Sequence, residues 1–257
     1  MKNRILYINP IGSPDFDKEI YNFLENGKRQ DTEVTITSLT KGPPHIEYHY
    51  YESLVLVDTL HKVRLAEKEG YQGAIIGCFY DPGLREAKEI SCNLMVTALC
   101  EASLHIAVTL GNMFSIIVGR NKWIPRMHEN VKNHGFESKL ASFKSLDMGV
   151  LDFHKDEDLT IRKMKTLSRE AVEKDLAEVL ILGCGIQFGF YRELQKEIGV
   201  PVIDPVLASL KYIELLVEIK HRLDWGISKA WGFESPSLEE IQRFKLEEQY
   251  KIKGLWS

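Results

Sequence analysis

The stretch Ala74-Ile75-Ile76-Gly77-Cys78-Phe79-Tyr80-Asp81-Pro82-Gly83-Leu84-Arg85 reads as a short buried strand that delivers a cysteine into a turn. Residues 74–76 are apolar and β-branched at two of three positions, and Gly77 lets a backbone or ligand come close. Asp81-Pro82-Gly83 is strong turn chemistry, with the proline placed to open a helix. Cys78 is thereby expected at the carboxyl end of a strand, beside a helix amino terminus. Open parallel α/β sheets bind ligands at that edge, where free N–H groups and the helix dipole favour an anion or a thiolate. A second copy lies at Glu178-Val179-Leu180-Ile181-Leu182-Gly183-Cys184-Gly185-Ile186. Aligned on the cysteines, residues 74–78 lie over residues 180–184, the pattern of an internal duplication that sets two thiols facing each other across a pseudo-symmetric cleft.

Outward from these two stretches the chain alternates strand and helix patterns. Residues 4–9, 33–39, 114–118, 142–146 and 199–204 read as further strands. Helical spacing of apolar residues covers 15–24, 48–69, 86–110, 123–133, 156–177, 190–198 and, opened by Pro205, about 205–222. Alternation at this spacing implies parallel βαβ units in an α/β, doubly wound fold. The tail over 237–250 carries Leu238, Ile241, Phe244 and Leu246 among charges. It is expected to be one amphipathic helix that packs on the body or on a neighbouring copy in a homo-oligomer.

With 257 residues the chain can bury a substantial core in one large α/β unit or two lobes, and two lobes are expected. A formal net charge of −4 gives no electrostatic case for nucleic acid or an anionic membrane, which leaves small solutes as the expected partners. Met1-Lys2-Asn3-Arg4 runs straight into a strand, and no apolar run approaches the roughly 20 residues of a membrane helix, so a cytoplasmic protein is expected. The four cysteines, Cys78, Cys92, Cys100 and Cys184, lack CxxC spacing and the density of a disulfide scaffold, as befits reduced thiols. Cys92 and Cys100 fall in an apolar helical pattern and read as small buried hydrophobes; Cys78 and Cys184 end strands and read as chemistry. His45 and His49 flank Glu47 with metal-like spacing, but they follow Gly-Pro-Pro in a polar segment, and no metal site is assigned. Gly183-Cys184-Gly185 lacks the third glycine of a dinucleotide loop, and no P-loop is present.

Gly77-Cys78-Phe79-Tyr80-Asp81-Pro82-Gly83-Leu84 resembles the hydantoin racemase branch of the aspartate/glutamate racemase superfamily. Asn9-Pro10, Gly42-Pro43, Ile46-Glu47, Phe114-Ser115, Gly183-Cys184 and Gly226-Ile227-Ser228-Lys229 carry the same likeness, which runs from about residue 4 to residue 236. The resemblance implies two pseudo-symmetric lobes with the active site in the cleft between them, one formed by residues 1–95 plus 207–257 and the other by residues 96–206. It implies catalytic Cys78 and Cys184, a pocket lined by Asn9, Pro10, Phe79, Tyr80, Val118, Gly119, Gly185 and Ile186, and no cofactor. Val118-Gly119 stands where the family usually has hydroxyl residues, and Tyr80 is bulkier than the usual small residue.

The chemistry agrees with that implication. Racemising a carbon next to a carbonyl means taking a proton from one face and returning one to the other, which two thiols on opposite sides can do as general base and general acid. The expected activity is therefore cofactor-independent racemisation of a 5-substituted hydantoin or allantoin. The alternatives are isomerisation or decarboxylation of a small dicarboxylate by a related cysteine chemistry, and a non-catalytic small-molecule binder of the same fold.

Overall fold

The structure, a computed structural model, describes residues 2–252 and 254–256. β1 (Asn3–Asn9), β2 (Thr32–Ser38), β3 (Gly73–Ile76) and β4 (Met95–Ala98) form one parallel sheet in the order β2-β1-β3-β4. β5 (Phe114–Val118), β6 (Leu140–Ser145), β7 (Val179–Leu182) and β8 (Val202–Ile203) form a second in the order β6-β5-β7-β8. The two orders are the same topology repeated, so β3 and β7 are equivalent strands, each next to the point where the winding reverses.

Every residue of β3, β4, β5 and β7 is buried, as strands covered by helices on both faces must be. In the first sheet the alternate residues of β1 divide between two cores. Leu6 and Ile8 meet Val55, Val63 and Ala66 of α2 (His49–Lys68), whereas Ile5 and Tyr7 enter a core that runs on through Leu99 and Leu104 into Ile116 and Leu180 of the second sheet. The lobes therefore share one apolar core. Two helices carry the crossing: α4 (Leu99–Leu110), which follows β4 directly, and α8 (Pro205–Leu223), which leaves β8 and returns to pack on α4, β3 and β4. Asp204 caps α8, accepting hydrogen bonds from the N–H groups of Val206 (3.0 Å) and Leu207 (3.3 Å), with Pro205 in the first helical position.

Four expectations need correction. The helix expected over 86–110 is α3 (Leu84–Ile90), then β4, then α4. A lobe boundary at 95/96 would cut β4, which pairs with β3 from Met95 to Ala98. Cys92 is not a buried helical residue but an exposed one in the loop between α3 and β4; Cys100 is buried in α4. The tail breaks into α9 (Leu238–Arg243) and α10 (Leu246–Gln249), because Lys245 adopts a left-handed φ of +54°. It packs on its own body, with Arg64 over the Trp256 ring and Tyr250 against His61. Among the described residues, no helix is long and apolar enough to cross a membrane.

Candidate active site

Beyond β3 the chain extends the sheet by one rung, with the Gly77 N–H donating to Ile8 O (2.8 Å), then folds back so that the Cys78 N–H donates to Ile76 O (2.9 Å) and the Asp81 N–H to Cys78 O (3.1 Å). Asp81 has φ +49° and is 7% exposed; its carboxylate accepts from the Cys100 N–H (2.8 Å), the Glu101 N–H (2.9 Å) and the His134 ring (3.1 Å). The Cys78 loop is thus bolted to the amino end of α4. From the other lobe, α5 (Ile124–Asn133) clamps the same loop: Arg126 and Asn130 donate to Tyr80 O at 3.1 and 2.7 Å. Beyond β7 the pattern repeats, with the Gly183 N–H donating to Ile117 O (2.9 Å) and the Gln187 N–H to Cys184 O (3.0 Å).

Cys78 and Cys184 are both free thiols, and both line one cleft between the lobes. Its accessible space is about 70 Å³, room for about five waters and so for a small ring rather than a nucleotide. Asn9, Pro10, Phe79, Tyr80, Gly185 and Ile186 line it as well. Val118 and Gly119 do not. Val118 is wholly buried, and Gly119 lies beneath the Trp123 indole, where a Cβ would stand 2.3 Å from the ring, so the loop after β5 presents Trp123 to the cleft in their place. Sequence reasoning missed the apolar wall formed by Ile11, Phe16, Trp123, Met127 and Leu151; an indole set beyond a strand end by an intervening loop carries no local signal.

Glu47 closes the roof. It reaches from the loop before α2 into the second lobe, where its carboxylate accepts from Arg120 (2.9 Å), the Val150 N–H (3.0 Å) and the Trp123 indole N–H (3.2 Å). His45 and His49 turn to different carboxylates, Glu47 and Glu52, at 3.9 and 3.8 Å. Among the described residues, no group of three or more His, Cys, Asp or Glu side chains is placed to hold a metal ion.

A family model described as Asp/Glu/Hydantoin racemase matches residues 5–213. The chain belongs to this family. It is 34% identical to a hydantoin racemase of Paenarthrobacter aurescens over 235 residues, 91% of this chain and 98% of that one. A hydantoin racemase of Pseudomonas sp. (strain NS671) is 32% identical, with 84% and 86% of the two chains covered. Among solved structures, an allantoin racemase from Klebsiella pneumoniae superposes with a TM-score of 0.84 at 29% identity, covering 91% of this chain and 94% of that one. The protein is thus a racemase, an isomerase with the two-lobed α/β fold of its family.

In this racemase, burial dominates both thiols. It pushes Cys78 well up, against one Tyr80 N–H at 3.4 Å from the sulfur and with the charge of a neighbouring Cys184 thiolate acting in the same direction as burial. It pushes Cys184 up to about 12, against the N–H groups of Ile186 and Gln187. The expectation that turn N–H groups activate the thiols holds in direction for those donors, but desolvation is the larger effect. Glu47 shows the opposite balance. Burial raises its carboxyl, yet the donors from Val150, Arg120 and Trp123 outweigh it and hold the group ionised.

Proposed function

We propose that this racemase inverts the C5 centre of a 5-substituted hydantoin, with Cys78 and Cys184 as the acid–base pair and no cofactor. The reading rests on one observation: the cleft onto which both cysteines open has, among the described residues that line it, no Lys or Arg. A dicarboxylate would be stripped of water there with no Lys or Arg to pair with and with Glu47 repelling it, which is strongly unfavourable. A hydantoin ring enters uncharged. The apolar wall of Phe16, Trp123 and Leu151 suits an aryl or alkyl group at C5 better than the ureido group of allantoin.

The step is symmetric. One cysteine, as thiolate, takes the C5 proton; the electron pair of that C–H bond moves onto the adjacent carbonyl as an enolate; the other cysteine gives its S–H proton to the opposite face. The first sulfur ends as thiol and the second as thiolate, ready for the opposite enantiomer. Both sulfurs must come within roughly 3 to 4 Å of the same carbon, so the reaction requires them about 6 to 8 Å apart across the ring.

L-5-benzylhydantoin in D₂O provides the test. Optical rotation should decay, the C5 proton signal should vanish as deuterium enters, and the molecule should otherwise be unchanged, with 5-ureidohydantoin turning over more slowly. Persistence of rotation and of the C5 proton with aryl, alkyl and ureido substituents alike would remove the hydantoin assignment.

A further inference from the structure

Tyr7 stands in the middle of β1 and is fully buried, in the core that continues into the second lobe. Its phenol oxygen has no hydrogen-bond partner. A buried hydroxyl left unpaired is destabilising, and a phenylalanine would fill the same space without that penalty. Position explains what the hydroxyl is for. A Cβ on Gly77 would lie 2.4 Å from the Tyr7 ring and 2.7 Å from the phenol oxygen, and a Cβ on Gly185 would lie 3.6 Å from that oxygen. Gly77 precedes Cys78 and Gly185 follows Cys184, so the phenol is wedged between the two cysteine loops, under the floor of the cleft. Gly77 is the room it needs, and Gly185 brings the second loop into contact with it.

We propose that Tyr7 is a positioning residue of the racemase site, whose O–H, unpaired in the resting protein, donates a hydrogen bond to whichever sulfur carries the negative charge during proton transfer. The inference rests on the two-thiol reading above. An interaction absent at rest and made only in the charged state stabilises the transition state over the ground state, so it raises kcat and leaves affinity alone. A single donor between the two cysteine loops also serves both directions of the reaction. Burial, then the charges of Cys78, Asp204, Cys184 and Asp17 facing it, hold the phenol well above its ordinary pKa, so it remains a donor wherever a thiolate forms. The other anions that face the sulfurs, Glu52 and Asp81 at Cys78 and Glu47 at Cys184, all oppose thiolate formation. Arg126 faces Cys78 as a cation but is already engaged by Glu52 and Tyr80 O, and the Tyr80 phenol faces both sulfurs from the cleft wall; Tyr7 differs from both in being wholly buried with its oxygen unpartnered.

Tyr7→Phe keeps the ring between the glycines and deletes only the donor. Iodoacetamide alkylation of Cys78 and Cys184, located by mass spectrometry and followed against pH, reads the thiolates without any turnover. At about pH 8 to 9, where only a small fraction of either thiol is ionised, the alkylation rate should fall about tenfold in the variant, the equivalent of about one pKa unit. With L-5-benzylhydantoin, kcat should fall about tenfold while KM changes less than about twofold. The melting temperature should hold or rise. An unshifted alkylation profile overturns the proposal, and so does a variant that fails to fold, since the hydroxyl would then be structural. A shifted profile in a protein that leaves every hydantoin untouched upholds Tyr7 and removes the hydantoin assignment; the reverse result does the opposite.

Discussion

Cys78 and Cys184 face a conflict between two demands of the reaction, since a base that is strong enough for a carbon acid must also exist in its ionised form. Burial lifts both thiols, Cys184 to about 12, so at neutral pH nearly every molecule at rest holds two S–H groups. The acid is always available and the base is scarce. Because the working base is the thiolate and its pKa is raised, the rate should climb with pH across about 7 to 9, and kcat/KM against pH should show no plateau below about 9. A flat profile would mean that something in the bound complex ionises the thiol first. Serine has no comparable base form, so Cys78→Ser and Cys184→Ser should each reduce racemisation by about 100-fold or more. Each single variant should retain deuterium exchange only for the enantiomer whose proton faces the surviving thiol, with that centre left uninverted. Cys184→Ser turning over at the parental rate would end the two-base account.

At the level of elements, the roof of the site is a strap from one lobe fastened to the other. The loop between β2 and α2 is held at its base by the Leu39 N–H to Ile11 O (2.9 Å) and the Gly12 N–H to Pro43 O (3.0 Å), and at its tip by Glu47. Glu47→Gln removes the charge that holds Arg120 and cannot satisfy all three donors, so the strap should loosen and KM should rise about tenfold. The same change removes an anion that raises Cys184, so the alkaline rise in rate should move towards neutrality. A higher KM with no movement in pH would separate the strap from the electrostatics. Glu47 is readable in sequence only as part of the Ile46-Glu47 likeness, because its partners lie 73 to 103 residues away. The cysteine loops are far more legible: a β-branched run, a glycine, a cysteine and a turn are all local signals. β4 is hidden for the converse reason. Met95–Ala98 passes into α4 with no turn residue between them, so helical spacing absorbs the strand. Val118 and Gly119 sit at a strand end as expected, but whether such an end opens on the cleft depends on the indole that Gly119 admits beneath it.

In the whole molecule the duplication extends beyond the cysteines to a pair of buried aspartates that join each cysteine loop to a crossing helix. Asp81 does so in the first lobe, reaching from the Cys78 loop to the amino end of α4. Asp204 does so in the second, capping α8 while its other oxygen accepts from the Gly189 N–H (2.9 Å), just beyond the Cys184 loop. Burial raises both, Asp204 to about 6 against its three backbone donors. Native Asp204 takes up a proton below about pH 6, the unfolded chain only near the ordinary carboxyl value of about 4. Its contribution to stability is therefore fully present below the lower value and lost as pH rises through the upper one, a loss of about 3 kcal/mol from end to end. Surface carboxylates with lowered values, such as Asp175 and Glu197, work the other way below this window, and His61 and His105, lowered by burial, work the other way within it. Chemical denaturation should thus show the parent losing stability relative to Asp204→Asn, which has no charge to bury, between about pH 5 and about pH 7. Parallel pH profiles for the parent and Asp204→Asn would mean that the carboxylate sheds its charge penalty some other way, through water reaching the junction of β8 and α8 where the two lobes meet.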